Sequence, residues 1–405
     1  MMKFLALILS LAISPVFAAT YTVPAQPGAL VALIGSGKIV GGDVILLQDG
    51  NHGGIDIKWG ALFLSRVTIK AEHYRKAHAD FIYVRDGAQN ILFSGINVWP
   101  TDPGATNAQH IATWAGTNNL TFSGMDVRGG EDSANYPNWS AAEWIKRSRT
   151  GIELGGTSNT VTNSRFTGVG FGILLSTNGR ALGNRVSGFS ADGLRGGADN
   201  QVFLGNTVEN CVSVDENHAD GLQIYGGGRV VTGTKIERNR IIEWNLAPNP
   251  LQCGLQGIVA FDDFQEGLII RNNLVVTRNG HGISIMGGHG VQILYNTVIR
   301  ADGADFNWPW IAVYPSKAGQ QSSDVVIANN LAMAVSGSDP AHNIVSVDNG
   351  TVTNPAQVLD MTTFAPFASS GFVDTANRGY ALRIDVNGKK RPSGAANDKG
   401  AVEAP

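Results

Sequence analysis

Between Thr150 and Tyr314 the chain repeats one short phrase six times, a turn residue, usually glycine, followed by alternating apolar residues. The copies are Gly151-Ile152-Glu153-Leu154, Gly172-Ile173-Leu174-Leu175, Gly193-Leu194-Arg195-Gly196, Gly221-Leu222-Gln223-Ile224, Gly257-Ile258-Val259-Ala260 and Gly282-Ile283-Ser284-Ile285, with a weaker one at Trp310-Ile311-Ala312-Val313. Asparagine-led phrases fall between them, such as Asn206-Thr207-Val208, Asn239-Arg240-Ile241 and Asn296-Thr297-Val298. Repetition at roughly 20 to 30 residues implies stacked coils.

The unit holds two or three short strands and no amphipathic helix, so helical and leucine-rich solenoids fit poorly. An all-β fold remains, the parallel β-helix, in which each coil gives one strand to each of several long sheets and inward residues stack coil upon coil. The leading Asn of the second phrase suits a sharp corner, because Asn tolerates left-handed backbone angles.

One elongated solenoid accounts for all 405 residues, so a single domain is expected after the signal. A net charge of −3 lacks the basic excess of a nucleic-acid binder. Residues 1–18 read as a signal peptide, with Lys3, an apolar run from Phe4 to Ile13 and Val16-Phe17-Ala18 before the cleavage point. That run is too short to span a bilayer, so a secreted or periplasmic protein starting at Ala19 is expected. Its two cysteines, Cys211 and Cys253, would reach a compartment where a disulfide can form, but two buried free thiols are the first expectation, since they lie 42 residues apart in different parts of their coils.

Along the chain, a cap over about 19–50, with a short helix or turn from Pro27 to Ile34, precedes an early coil through Val67-Thr68-Ile69. Regular coils are expected over about 90–347 and a capping tail over 351–405, covering the last coil. Excess length always falls just before the Gly-Ile strand, at 131–149, 213–219, 243–255 and 301–309. Insertions entering at one corner must emerge along one sheet edge and wall a groove. They carry Tyr136, Trp139, Trp144, Trp244, Phe306 and Trp308. Exposed rings there suit the apolar faces of sugars, and Trp139, Trp144, Trp244 and Trp308 are the candidate platforms.

Aligning the phrases gives a ladder of Thr150, Phe171, Asp192, Asp220, Gln256 and His281, and a second of Glu153, Leu174, Arg195, Gln223, Val259 and Ser284. Apolar residues give way to polar ones in the middle coils only. Taken singly each polar residue is an ordinary turn or surface residue; together, with His218 just outside, they mark a candidate site. Glu153, Gln223 and Gln256 are its expected substrate contacts.

The coil repetition, the signal and the closing segment Asp385-Val386-Asn387-Gly388-Lys389-Lys390-Arg391-Pro392 resemble the right-handed parallel β-helix proteins of the pectate-lyase-like superfamily, over nearly the whole mature chain. The resemblance implies a polysaccharide partner, usually an acidic one. Gly280-His281-Gly282 and Ala219-Asp220-Gly221 look like two motifs of the polygalacturonase-like glycoside hydrolases. Their aspartate pair is replaced here by Leu255-Gln256, and their Arg-Ile-Lys motif by Trp310-Ile311-Ala312.

A polysaccharide lyase needs something to neutralise a uronate carboxylate, a base for the C5 proton and an acid for the leaving oxygen. The resemblance offers Arg195 as neutraliser or base; His218 or His281 is the alternative base. Asp192, Asp220 and Glu216 form the candidate calcium set. Hydrolase, uronan C5-epimerase and non-catalytic glycan binding are the competing readings.

Overall fold

The structure is a computed structural model that describes residues 18–405 apart from 59–60, 103 and 301–307. The expected signal peptide, but for Ala18, and Phe306 lie outside the described residues. From Thr20 onward the chain winds through three long parallel sheets of 13, 12 and 11 strands, here called sheets one, two and three in the order each coil visits them. Coils follow one another without interruption, so the early coil at Val67–Ile69 belongs to the same series as the later ones. The helix or turn expected from Pro27 to Ile34 is a helix, Ala29–Gly35, which buries Leu30 and Ile34 at the N-terminal end.

Inward residues stack in columns because strand register is kept from coil to coil. In sheet one the column runs Val161, Ala181, Phe203, Ile236, Ile270, Ile293 and Ile327. In sheet three it runs Ile152, Ile173, Leu194, Leu222, Ile258, Ile283 and Ile311, all fully buried. Truncating one such isoleucine to alanine removes about 2–5 kcal/mol, since a stiff stack of coils collapses poorly around a cavity.

The glycines that open the sheet three phrases are not turn glycines. None of Gly151, Gly172, Gly193, Gly221, Gly257 and Gly282 has a positive φ. They stand where sheet three passes close to its neighbours: a Cβ on Gly172 would lie 2.2 Å from the Gly193 carbonyl oxygen, and one on Gly193 would lie 2.2 Å from Val208. The asparagine reading also changes. Left-handed angles fall on the residue before, as at Gly205, Arg238, Asn272 and Tyr295. The Asn itself points inward and builds a buried ladder between sheets one and two. The Asn206 N–H and Nδ2 both donate to Asn239 Oδ1 at 2.9 Å, Asn239 repeats this on Asn273, and Asn273 on Asn296. Each amide thus satisfies backbone groups that a corner would otherwise leave unpaired.

One further expectation is corrected and another extended. Cys211 and Cys253 form a disulfide with Cα atoms 5.5 Å apart. The 243–255 insertion doubles back, Val212 and Gln252 form an antiparallel bridge, and the Cys253 N–H donates to the Cys211 carbonyl at 3.2 Å. The C-terminal tail reaches beyond the last coil, where Asn377 bonds Asp348 and Phe372 lies against Gly350. It also lies along the flank, where Leu359 packs with Leu274, Ile299 and Leu331, Arg391 bonds Asn272, and Asn387 meets Arg240. Buried apolar residues on the outer side of sheet two need covering there, and Arg391 and Glu403 close the contact as a fully buried ion pair.

Candidate functional site on sheet three

In chain order each insertion falls between a sheet two strand and a sheet three strand, just before the sheet three strand begins. Residues pointing outward from those strands form the two ladders read from the sequence. Asp220 pairs with Gln256 and His281 with Trp310, while Glu153, Leu174, Arg195, Gln223, Val259 and Ser284 lie in unbroken register. Asp192 is one coil before Asp220, as the Gly193 N–H donating to the Asp220 carbonyl shows.

Asp192 and Asp220 are 3% and 0% exposed. Arg195 Nη1 lies 3.5 Å from Asp192 Oδ2, and its guanidinium stands 4.6 Å over the Tyr225 ring and 5.5 Å from Phe171. Asp220 has no such partner: neither of its carboxyl oxygens has a hydrogen bond, and the neighbouring Gln256 Oε1 is also buried without one. Burial, reinforced by the charge of Asp192 and opposed by Arg195, pushes Asp220 up to about 8. Burial also pushes Asp192 up to about 6, against Arg195 and the Asp220 backbone N–H. Asp220 is therefore a neutral carboxylic acid at pH 7.

His281 is half-buried between the rings of Phe261 and Trp310, with centroids 5.1 and 5.0 Å away, both edge-on. Its Nδ1 is 3.0 Å from Ser284 Oγ, which also accepts from Trp310 Nε1 at 3.0 Å. Burial lowers its pKa, which keeps the imidazole neutral at pH 7. His218 is exposed on the 213–219 insertion, close enough to Asp192 to lower that carboxyl's pKa. Gln223 lies beside Arg195, whereas Glu153 is two coils away and accepts from Gln109 Nε2 at 2.9 Å.

The calcium set does not assemble. Glu216 is exposed on its insertion while Asp192 and Asp220 are buried, and among the described residues no three His, Cys, Asp or Glu side chains converge as a metal site.

The tryptophan platforms are also largely corrected. Trp139 and Trp144 are buried with Tyr136 and Val212 in a small core of their own, against which Trp244 packs. The 131–149 insertion folds over sheet two, where Gly168 and Gly188 leave flat places: a Cβ on them would meet Trp139 at 2.7 Å and Tyr136 at 2.6 Å. The half-buried Trp244 donates from Nε1 to the Ala247 carbonyl at 2.8 Å. Trp308 alone of the four is 49% exposed.

Sequence reasoning missed the aromatic residues one step beyond the inward ladder, Tyr225, Phe261 and Tyr314, with Met286 in the same line. Their signal was present: each directly follows its coil's apolar phrase.

Residues 150–308 match the family described as the right handed beta helix region. No curated protein matches the chain. Among solved structures, a pectate lyase shares 15% identity, with 96% of this chain and 98% of that chain covered and a TM-score of 0.49. A mannuronan C-5 epimerase module from Azotobacter vinelandii shares 12%, over 80% of this chain and 86% of that one, at 0.47. A surface adhesin of Streptococcus pneumoniae shares 13%, over 76% and 90%, at 0.45. With three parallel sheets wound as one solenoid, and residues 150–308 matching the right handed beta helix region, the chain has the right-handed parallel β-helix fold.

Proposed function

We propose that the protein is an exported enzyme that cleaves an acidic polysaccharide by β-elimination on the outer face of sheet three. The observation that carries this reading is Asp220, a buried carboxyl whose two oxygens have no hydrogen-bond partner, next to Arg195 on the neighbouring coil. A structural acid would have been given partners. A polymer lying along the solenoid axis meets a new coil every ~4.8 Å, so one uronate can touch several of these side chains.

Arg195 attracts and neutralises the uronate carboxylate, which makes the C5 proton more acidic. His218, exposed on its insertion and close to Asp192, takes that proton. The C5–H electrons form the C4–C5 double bond, the bond from C4 to the glycosidic oxygen breaks, and protonated Asp220, 0% exposed in the free chain and so uncovered only as the polymer binds, supplies the proton to the leaving oxygen. Gln223 and Gln256 hold hydroxyls between them, and His281, its Nδ1 held by Ser284, contacts a sugar further along the polymer. No step here requires calcium.

A second reading is hydrolysis. Asp192 and Asp220, on neighbouring coils ~4.8 Å apart, have pKa values pushed to about 6 and about 8, and retaining glycosidases use carboxyls ~5–5.5 Å apart.

The test is incubation of the purified protein with acidic and neutral polysaccharides, with Ca²⁺ or EDTA, following absorbance at ~235 nm, the signature of the eliminated double bond, alongside reducing ends. Both signals should rise on an acidic polymer. Reducing ends alone would replace elimination with hydrolysis, and silence in both would turn the reading towards an epimerase or a glycan-binding protein. Activity lost in EDTA would mean that substrate oxygens complete a calcium site the chain alone does not assemble.

A further inference from the structure

Sheet three's outer face changes character along the solenoid. In the middle coils it is acidic and amide-bearing; towards the C-terminus a second line of side chains, on the other side of the Arg195–Ser284 ladder, becomes aromatic. Ile224, Ala260 and Ile285 are in register, and the residues after them are Tyr225, Phe261 and Met286, the last paired with Tyr314. Tyr225 is 46% exposed and Tyr314 37%. Exposed large rings gathered on one face mark an interaction surface, and on this side of sheet three the 315–324 connection brings Lys317 against Asp262.

We infer that Tyr225, Phe261 and Tyr314 form a sugar-stacking strip that binds the pyranose rings of a linear acidic polysaccharide running parallel to the solenoid axis. Three observations identify this occupant. Rings on three of four successive coils, with Met286 on the third, at ~4.8 Å steps, offer a periodic surface to a polymer with a comparable repeat, whereas a folded protein partner would need no such period. The strip has cations at its edges: Arg195 over Tyr225, and Lys317, which reaches back to Asp262 beside Phe261 at 2.5 Å. The Phe261 ring also touches His281, so the strip is continuous with the candidate site. Aromatic faces take up the apolar C–H faces of sugars while flanking cations take carboxylates.

This inference rests on the polysaccharide reading but not on the elimination chemistry, and the experiment separates them. Tyr314 is the residue to change, because it is on the strip and remote from Asp220 and Arg195. Retention of the full chain would be measured by affinity electrophoresis in gels containing polygalacturonate or alginate, with dextran as the neutral comparator. Tyr314→Ala should weaken retention about three- to tenfold with melting unchanged, and Tyr314→Phe, which keeps the ring, should restore it. Tyr314→Leu, which preserves apolar packing but removes the ring face, should behave like alanine and serves if alanine destabilises the strand. Wild-type retention in Tyr314→Ala and Tyr314→Leu overturns the strip and leaves the elimination reading standing. Ring-dependent retention without any double-bond product supports the strip and sinks elimination alone. Failure of the wild-type chain to bind either acidic polymer overturns both.

Discussion

Asp126 on sheet two and Asp220 on sheet three each open a strand, face outward and are almost completely buried. Asp126 Oδ2 accepts from Arg128 Nη2 and Arg165 Nη2, both at 2.6 Å. Burial would raise its pKa, but the hydrogen bonds from Arg165 and Arg128 outweigh burial and lower it. Asp220 has equal burial and no bond, and its pKa goes the other way. The difference separates a carboxylate that holds coils together from an acid kept in its protonated form. Burial sets the size of the perturbation, and the supply of donors sets its sign.

The largest expected effect tests whether the contrast is functional. Asp220→Asn should lower turnover on the acidic polymer by about 10²-fold or more, while Asp126→Asn leaves the rate per folded molecule unchanged. Steady-state rates on both variants check this, and full activity in Asp220→Asn would make Asp220 another structural residue.

Stability should show the reverse order. Asp126→Ala removes the acid that joins two coils through Arg128 and Arg165, and should cost about 3 kcal/mol in chemical denaturation. Asp220→Asn should cost far less, because no bond is broken. Equal losses would erase the distinction.

The smallest effect is on pH dependence, and the two acids should have opposite signs. Asp126, with its folded pKa depressed, contributes stability that is present above its unfolded value of ~3.9 and lost as pH falls through the folded value. Asp220, raised to about 8, favours the folded state fully only below ~3.9, and that contribution is lost as pH rises towards 8. Melting curves between about pH 5 and pH 9 should therefore decline less steeply in Asp220→Asn than in the wild-type chain. Parallel slopes would mean that Asp220 titrates normally.

Periodic features were legible in the chain. The Gly-Ile phrases are strands of one sheet, their alignment gives the actual register, and Asp192, Arg195, Asp220, Gln223 and Gln256 do share its outer face. Individual roles were less so. Glycines expected at turns serve close approach, because the distance between sheets is not written in either sheet's own sequence. Asparagines expected to take left-handed angles bond to one another across coils, a contact between residues 33 or 34 apart.

By itself, then, the sequence determined that this protein is a solenoid, which residues stack in each column and which coils interrupt the apolar pattern with charge. These follow from a repeat, and a repeat is visible along the chain because each coil contacts its neighbours at nearly constant spacing. Only the tertiary structure decided what the irregular segments do. It folded Trp139 and Trp144 over sheet two, brought Cys253 back to Cys211, laid the tail along the flank and left Asp220 buried without a donor. Those outcomes depend on how an insertion turns and which surface it finds to cover. No period encodes that choice, and a carboxyl's proton affinity depends on the donors and dielectric that the finished packing leaves around it.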